Sequence, residues 1–279
     1  MRNACLPYRR IAVVPYRRGA VVETQCIASL QITKYARTNQ FVTILKIMVN
    51  QLDFKPENSK EYILLLSAPI LLTIYRYYFY SDVFLDYFPK FAGNPILDYY
   101  SNIFQFAGFF GLMFVIPVLL VKYVFKERLK NYGLSLGNHK LGLKWLLALP
   151  IIAIVLFFAA KSPDISAEYP LAKSIITHKG LIFSYELAYL LLYYIAWEFF
   201  FRGFLLFGLA PKFGAVNAIL IQTISSCLIH IGKPAGEILG SIVIGILFGL
   251  IAYKTKSIWY LVILHAAIGI LTDLFVVFT

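Results

Sequence analysis

From about residue 60 onward the chain is a succession of long apolar runs separated by short charged stretches. A helix rises about 1.5 Å per residue, so roughly 20 apolar residues cross the hydrocarbon layer of a bilayer, about 30 Å thick. The runs predict seven such helices. The first spans about Tyr62 to Phe79, the second Ile103 to Val121, the third Leu143 to Ala160, and the fourth Glu186 to Leu209. The fifth covers Ala215 to Ile231, the sixth Glu237 to Tyr253, and the seventh Ile258 to Phe278. A transmembrane barrel would instead alternate apolar and polar residues over strands of about 10. These runs are apolar on every side, so the expected fold is all-α, a polytopic transmembrane helical bundle of about seven spans.

Composition removes the soluble alternative. Sixty per cent of the residues are hydrophobic and only 14% are charged, whereas a soluble domain carries about 25% charged residues to wet its surface. The charges that exist are unevenly spread. Arg2, Arg9, Arg10, Arg17, Arg18, Lys34, Arg37, Lys46, Lys55 and Lys60 precede the first span, and Lys122, Lys126, Arg128 and Lys130 follow the second. The loop between them holds Asp82, Asp86 and Asp98 against Lys90 alone. Positive loops stay cytoplasmic, which predicts a cytoplasmic amino terminus and a carboxyl terminus on the far side. The net charge of +12 is then explained by inner loops facing anionic lipid, and no nucleic acid partner is called for.

Three regions follow from this reading: residues 1–60, a basic cytoplasmic amino-terminal segment; 61–160, amino-terminal transmembrane helices; and 181–279, the helices that carry the chemistry. Residues 1–47 lack the apolar core of a secretory signal. They read as an Arg-rich organelle leader or, preferably, as lying outside the mature or true chain, with translation starting at Met48. Cys5, Cys26 and Cys227 are scattered and indicate no disulfide framework.

Ionisable groups within hydrocarbon cost several kcal/mol unless paired or facing a wet cavity, so each is a functional candidate. They fall in the second half: Glu198, Arg202, His230, Glu237, His265 and Asp273. Helical rise puts Glu198 about 20 Å above the inner turn, Arg202 about 14 Å, His230 about 24 Å, Glu237 about 25 Å, His265 about 12 Å and Asp273 about 24 Å. Four helices thus bring polar groups to overlapping depths. Glu186, at about 37 Å, reads as a solvated end residue, and His139 and His178 as loop histidines. Glu198 and Arg202, spaced i and i+4, share a helix face and suit an ion pair. Such a pair would neutralise itself without further purpose, but that does not account for two histidines and two more carboxylates on neighbouring helices. A carboxylate that takes a proton from water, beside imidazoles that donate to a developing oxyanion, is what amide hydrolysis requires.

The segment Trp197-Glu198-Phe199-Phe200-Phe201-Arg202-Gly203, His230 at the end of an apolar run, the Glu237-to-Gly249 helix and His265 together resemble the CPBP family of intramembrane proteases. That family includes the CAAX prenyl endopeptidases (CAAX prenyl protease 2-like) and bacterial bacteriocin-processing, immunity and abortive-infection proteins. Tyr132-Gly133-Leu134-Ser135-Leu136-Gly137 is similar to the family's approach to its core. The resemblance implies an intramembrane endopeptidase of the bacterial plasma membrane that hydrolyses a peptide bond in a membrane-anchored peptide or protein. Glu198 would be the base and His230 and His265 the polarising groups, with Arg202, Glu237 and Asp273 in support. The chain departs from the family pattern at three positions. Trp197 stands at the first Glu of Glu-Glu-x-x-x-Arg, Ser226 at the Phe of Phe-x-x-x-His, and Gly269 at the Asn or Asp of the last motif. Either Glu198 has taken over as base, or the chain is a non-catalytic member acting in immunity or as a scaffold. A transporter is a third reading, though the polar residues are confined to one half of the chain. No cofactor is required; the residue types at Glu198, His230, Glu237 and His265 leave a divalent metal such as zinc open.

Overall fold

A computed structural model describes residues 55–279, and Gln40, Val42 and Thr43 before them. The expectation for residues 1–47 lies outside these apart from those three positions. The bundle lies within the unit Ser59–Thr279. Its helices are α1 (Ser59–Tyr78), α2 (Leu97–Val124), α3 (His139–Ala159), α4 (179–213), α5 (215–228), α6 (Ala235–Thr255) and α7 (Trp259–Phe278). No strand occurs among the described residues.

By length and apolarity, five helices qualify as membrane-crossing, or six if the bent pair Pro56–Tyr78 and Ser81–Tyr87, at 41°, counts as one. One of the five, Lys179–Leu228, runs for 50 residues. At about 1.5 Å per residue it would extend about 75 Å, more than twice the hydrocarbon thickness. It is broken at Gly214, where φ 78° and ψ 160° leave the helical region for one that a residue without a Cβ adopts freely. The fourth and fifth expected spans meet at this break.

Contacts between helix ends sort those ends into two layers. In one, Lys60 at the start of α1 pairs with Glu127 beyond the end of α2 at 2.7 Å. The segment 132–138 lies along the turn between α6 and α7: Ile258 N–H donates to the Gly133 carbonyl at 3.1 Å, and Asn138 N–H to that of Thr255 at 2.7 Å. Gly137, at φ 51°, comes so close to this turn that a Cβ would stand 2.9 Å from the Lys256 carbonyl oxygen. Lys256 also sits over Phe207 of α4. In the other layer, Asp98 accepts from the Ser174 N–H at 2.8 Å, Lys233 pairs with Glu168, and Lys179 lies over Phe278. The ends alternate between the layers along the chain.

Lipid tails are as apolar as leucine, so helices in a bilayer associate through close packing and internal hydrogen bonds rather than by escaping water. α5 and α6 show both. A Cβ on Gly245 would meet Thr223 Cγ2 at 2.8 Å, and the Gln222 amide donates across the interface to the Gly245 carbonyl at 2.9 Å. Aromatic rings fill the centre. Phe199, Phe200, Phe201 and Phe204 of α4 have no exposed surface, and Phe109 of α2 meets Tyr75 of α1 edge-on at 4.9 Å. Such pairs each add about 0.5–1.5 kcal/mol beyond their buried area.

Candidate active site

Helix α4 is not regular. Tyr189–Tyr194 and Phe199–Leu205 are π-helical, on either side of the α-helical turn Ile195–Glu198. Widened turns of this kind shift the phase of the side chains that follow and recur at functional sites. Here they flank Glu198, whose side chain is fully buried.

Glu198 Oε1 accepts two bonds. Arg202 Nη1 donates from 3.3 Å within the same helix, and His265 Nδ1 from 2.6 Å on α7. The second is as short as a charge-assisted bond, and the first is longer than one. Oε2 has no partner, nor has Arg202 Nε. The guanidinium lies between the rings of Phe248, 5.7 Å away, and Phe201, 6.0 Å away. Burying this ion pair gives little net stability, but removing either charge would strand the other.

The two histidines are anchored alike. His230 follows the end of α5, and its Nδ1 lies 2.7 Å from the Ser226 carbonyl oxygen. A carbonyl can only accept, so Nδ1 carries the proton, and in the neutral ring Nε2 has the free lone pair. Donation from His265 Nδ1 to a carboxylate at Glu198 gives His265 the same tautomer. The expectation that the imidazoles donate to a carbonyl therefore meets a physical obstacle: in their neutral forms both offer Nε2 as an acceptor. Trp197 stands edge-on to both, with ring centres 5.2 Å from His230 and 5.7 Å from His265.

These rings border a cavity of about 460 Å³. Tyr194, Trp197, Arg202, His230, Glu237 and His265 all line it, together with tyrosines from several helices. Glu198 does not; it lies behind His265. Glu237 accepts from the Tyr169 hydroxyl at 2.8 Å, and its Oε2 is unpartnered. Asp273 is fully buried outside the cavity lining. Its carboxyl lies against that of Glu186, and neither receives a hydrogen bond from a donor. Glu186 is thus a buried residue, 8% exposed, and not the solvated helix end expected from its depth. The depth count failed because the helix begins at Lys179 and its outer end is covered by other elements. His139 and His178 are exposed, away from the cavity.

A catalytic zinc would need three protein ligands and an open position. Among the described residues no three His, Cys, Asp or Glu side chains converge to supply them. His265 and His230, each anchored through Nδ1, keep Nε2 free as a ligating histidine would, but no third ligand stands with them among the described residues. Sequence reasoning missed Tyr169, Tyr194 and Glu186. For Tyr194 a signal existed in Gly269, one turn beyond His265 and lacking a side chain.

Residues 179–271 match the family model described as type II CAAX prenyl endopeptidase Rce1-like. The match covers about a third of the chain and agrees with the resemblance read from the motifs. The matched segment contains Glu198, Arg202, His230, Glu237 and His265, and ends before Asp273. No curated protein and no solved structure matches the chain.

Proposed function

We propose that this multi-pass membrane protein is an intramembrane endopeptidase that hydrolyses a peptide bond in a membrane-anchored peptide or protein. The observation that carries the reading is the 2.6 Å bond from His265 to a buried glutamate, at the wall of a cavity inside a helical bundle. The matched family model supports it, and its name supplies the substrate class: a prenylated, membrane-tethered peptide.

The geometry favours His265, rather than Glu198, as the group that meets water. Glu198 Oε1 already accepts two bonds, and Oε2 is buried without access to the cavity. Its carboxylate instead fixes the His265 tautomer and stabilises the imidazolium that forms when Nε2 takes a proton. Arg202 pairs with the Glu198 carboxylate and orients it. His230, anchored on Ser226, offers Nε2 as a second acceptor to hold the water. The water oxygen bonds to the carbonyl carbon as its proton passes to His265 Nε2. The tetrahedral intermediate then collapses, the C–N bond breaks, and the same proton goes to the departing amine.

One observation favours a non-catalytic member: the Trp197 indole stands where the family carries a carboxylate and fills space beside both imidazoles. A single experiment separates the two. The full chain in lipid nanodiscs is given a quenched-fluorescent peptide ending in a farnesylated cysteine and three further residues, and products are identified by mass. Cleavage by the wild type, lost in His265→Ala, supports the hydrolase. No cleavage of this peptide or of a panel of anchored peptides refutes it.

A further inference from the structure

The proposed mechanism contains a proton acceptor and a held water, but no donor for the carbonyl oxygen as it becomes negative. Amide hydrolysis needs one within the cavity, at hydrogen-bond distance from that oxygen. The two imidazoles do not serve when neutral, for the tautomer reason given above. Trp197 and Arg202 also line the cavity, but the Trp197 indole N–H and Arg202 Nε are buried without partners, and Arg202 Nη1 is engaged by Glu198.

Tyr194 remains. It ends the first π-helical stretch of α4, and its ring lies 4.9 Å from that of His265. Its hydroxyl occupies the space directly over Gly269, where a Cβ would coincide with it and would stand 2.7 Å from Cζ. Gly269 is four residues beyond His265 on α7, so both positions share one helix face about 6 Å apart. Tyr194, Gly269 and His265 all line the same cavity. A phenol from α4 therefore fills the place of a polar side chain on α7, one turn from the base.

We propose that Tyr194 donates its hydroxyl hydrogen to the scissile carbonyl oxygen and stabilises the tetrahedral oxyanion, making it a catalytic residue of this chain. The inference rests on the hydrolase reading. It also explains the glycine at 269: the phenol excludes any side chain there.

The test uses the full chain in nanodiscs and the farnesylated peptide probe. Tyr194→Phe removes one oxygen and keeps the ring against His265. Loss of one such donor lowers kcat by about 10²–10³-fold, and KM should stay within about twofold because the bond strengthens only as charge develops. Gly269→Asn alone should inactivate by collision with the phenol. Tyr194→Ala should be as slow as Tyr194→Phe, and Tyr194→Ala combined with Gly269→Asn should recover activity by putting an amide donor into the vacated space. If Tyr194→Phe turns over within threefold of wild type while His265→Ala is dead, Tyr194 has no such role and the hydrolase reading survives. A Tyr194→Phe effect confined to KM, or a double variant no better than Tyr194→Ala, also overturns the assignment. A wild type that cleaves nothing removes both.

Discussion

Glu198→Gln perturbs two things at once, and the structure gives a magnitude for each. The carboxylate is fully buried, and its partner Arg202, 3% exposed in its side chain, lies at 3.3 Å. Removing one charge of a buried pair costs about 3–5 kcal/mol because the other is stranded. Gln keeps an oxygen that still accepts from Arg202, so the lower end, about 3 kcal/mol, is expected. The effect on chemistry is separate. The Gln side chain can turn its amide N–H toward His265 Nδ1, which drives the ring proton to Nε2 and leaves no lone pair facing the cavity. Loss of a general base lowers the rate about 10²–10⁴-fold. Initial rates on the farnesylated peptide measure the second effect, and unfolding by SDS in mixed micelles the first. Adding Arg202→Met to Glu198→Gln should return much of the stability and none of the activity. A Glu198→Gln protein that cleaves at the wild-type rate would refute the Glu198–His265 couple. An unchanged unfolding curve would refute the stranded-charge argument.

Two further outcomes are expected outside the hydrocarbon. Burial opposes ionisation of Glu127, but hydrogen bonds from Lys60 and Tyr132, with the Lys60 charge, outweigh it and hold its carboxyl below the ordinary range. A lowered folded value means that the tie between α1 and the end of α2 is fully present above about pH 4.3 and lost as pH falls through the folded value. The pair is partly exposed, so it contributes under about 1 kcal/mol. The difference in stability between wild type and Glu127→Gln should therefore be small at pH 7 and vanish in acid; a difference that grows in acid would contradict it. For orientation, a reporter fused after Thr279 should lie on the face opposite one inserted near Arg128, with the Arg128 side cytoplasmic. Labelling of both from the same side would break the two-layer arrangement.

Much of the bundle was legible because hydrocarbon tolerates so few residue types. The apolar runs fixed helix existence, and the i, i+4 spacing of Glu198 and Arg202 anticipated their pairing at 3.3 Å. Less legible were features set by packing between helices. That His265 reaches Glu198 through Nδ1 depends on the rotation of α7 against α4, which π-helical turns alter and periodicity does not encode. The burial of Glu186 against Asp273 depends on what covers the end of α4, a matter of tertiary structure alone. Tyr194 was hidden for another reason. Among 20 tyrosines in an aromatic-rich chain, one more carries no signal until the empty position at Gly269 is seen beside it.

The bond between His265 and Glu198 joins α7 to α4, and α7 is made after the other six helices. Glu198 and Arg202 pair within one helix, so α4 carries both charges of the pair whether or not α7 is present. His265 arrives only with the last helix, and the turn that leads into it docks on the segment 132–138 laid down long before. A chain lacking α7 would therefore keep its charge pair but lose the imidazole at Glu198, and with it the group proposed above as the base.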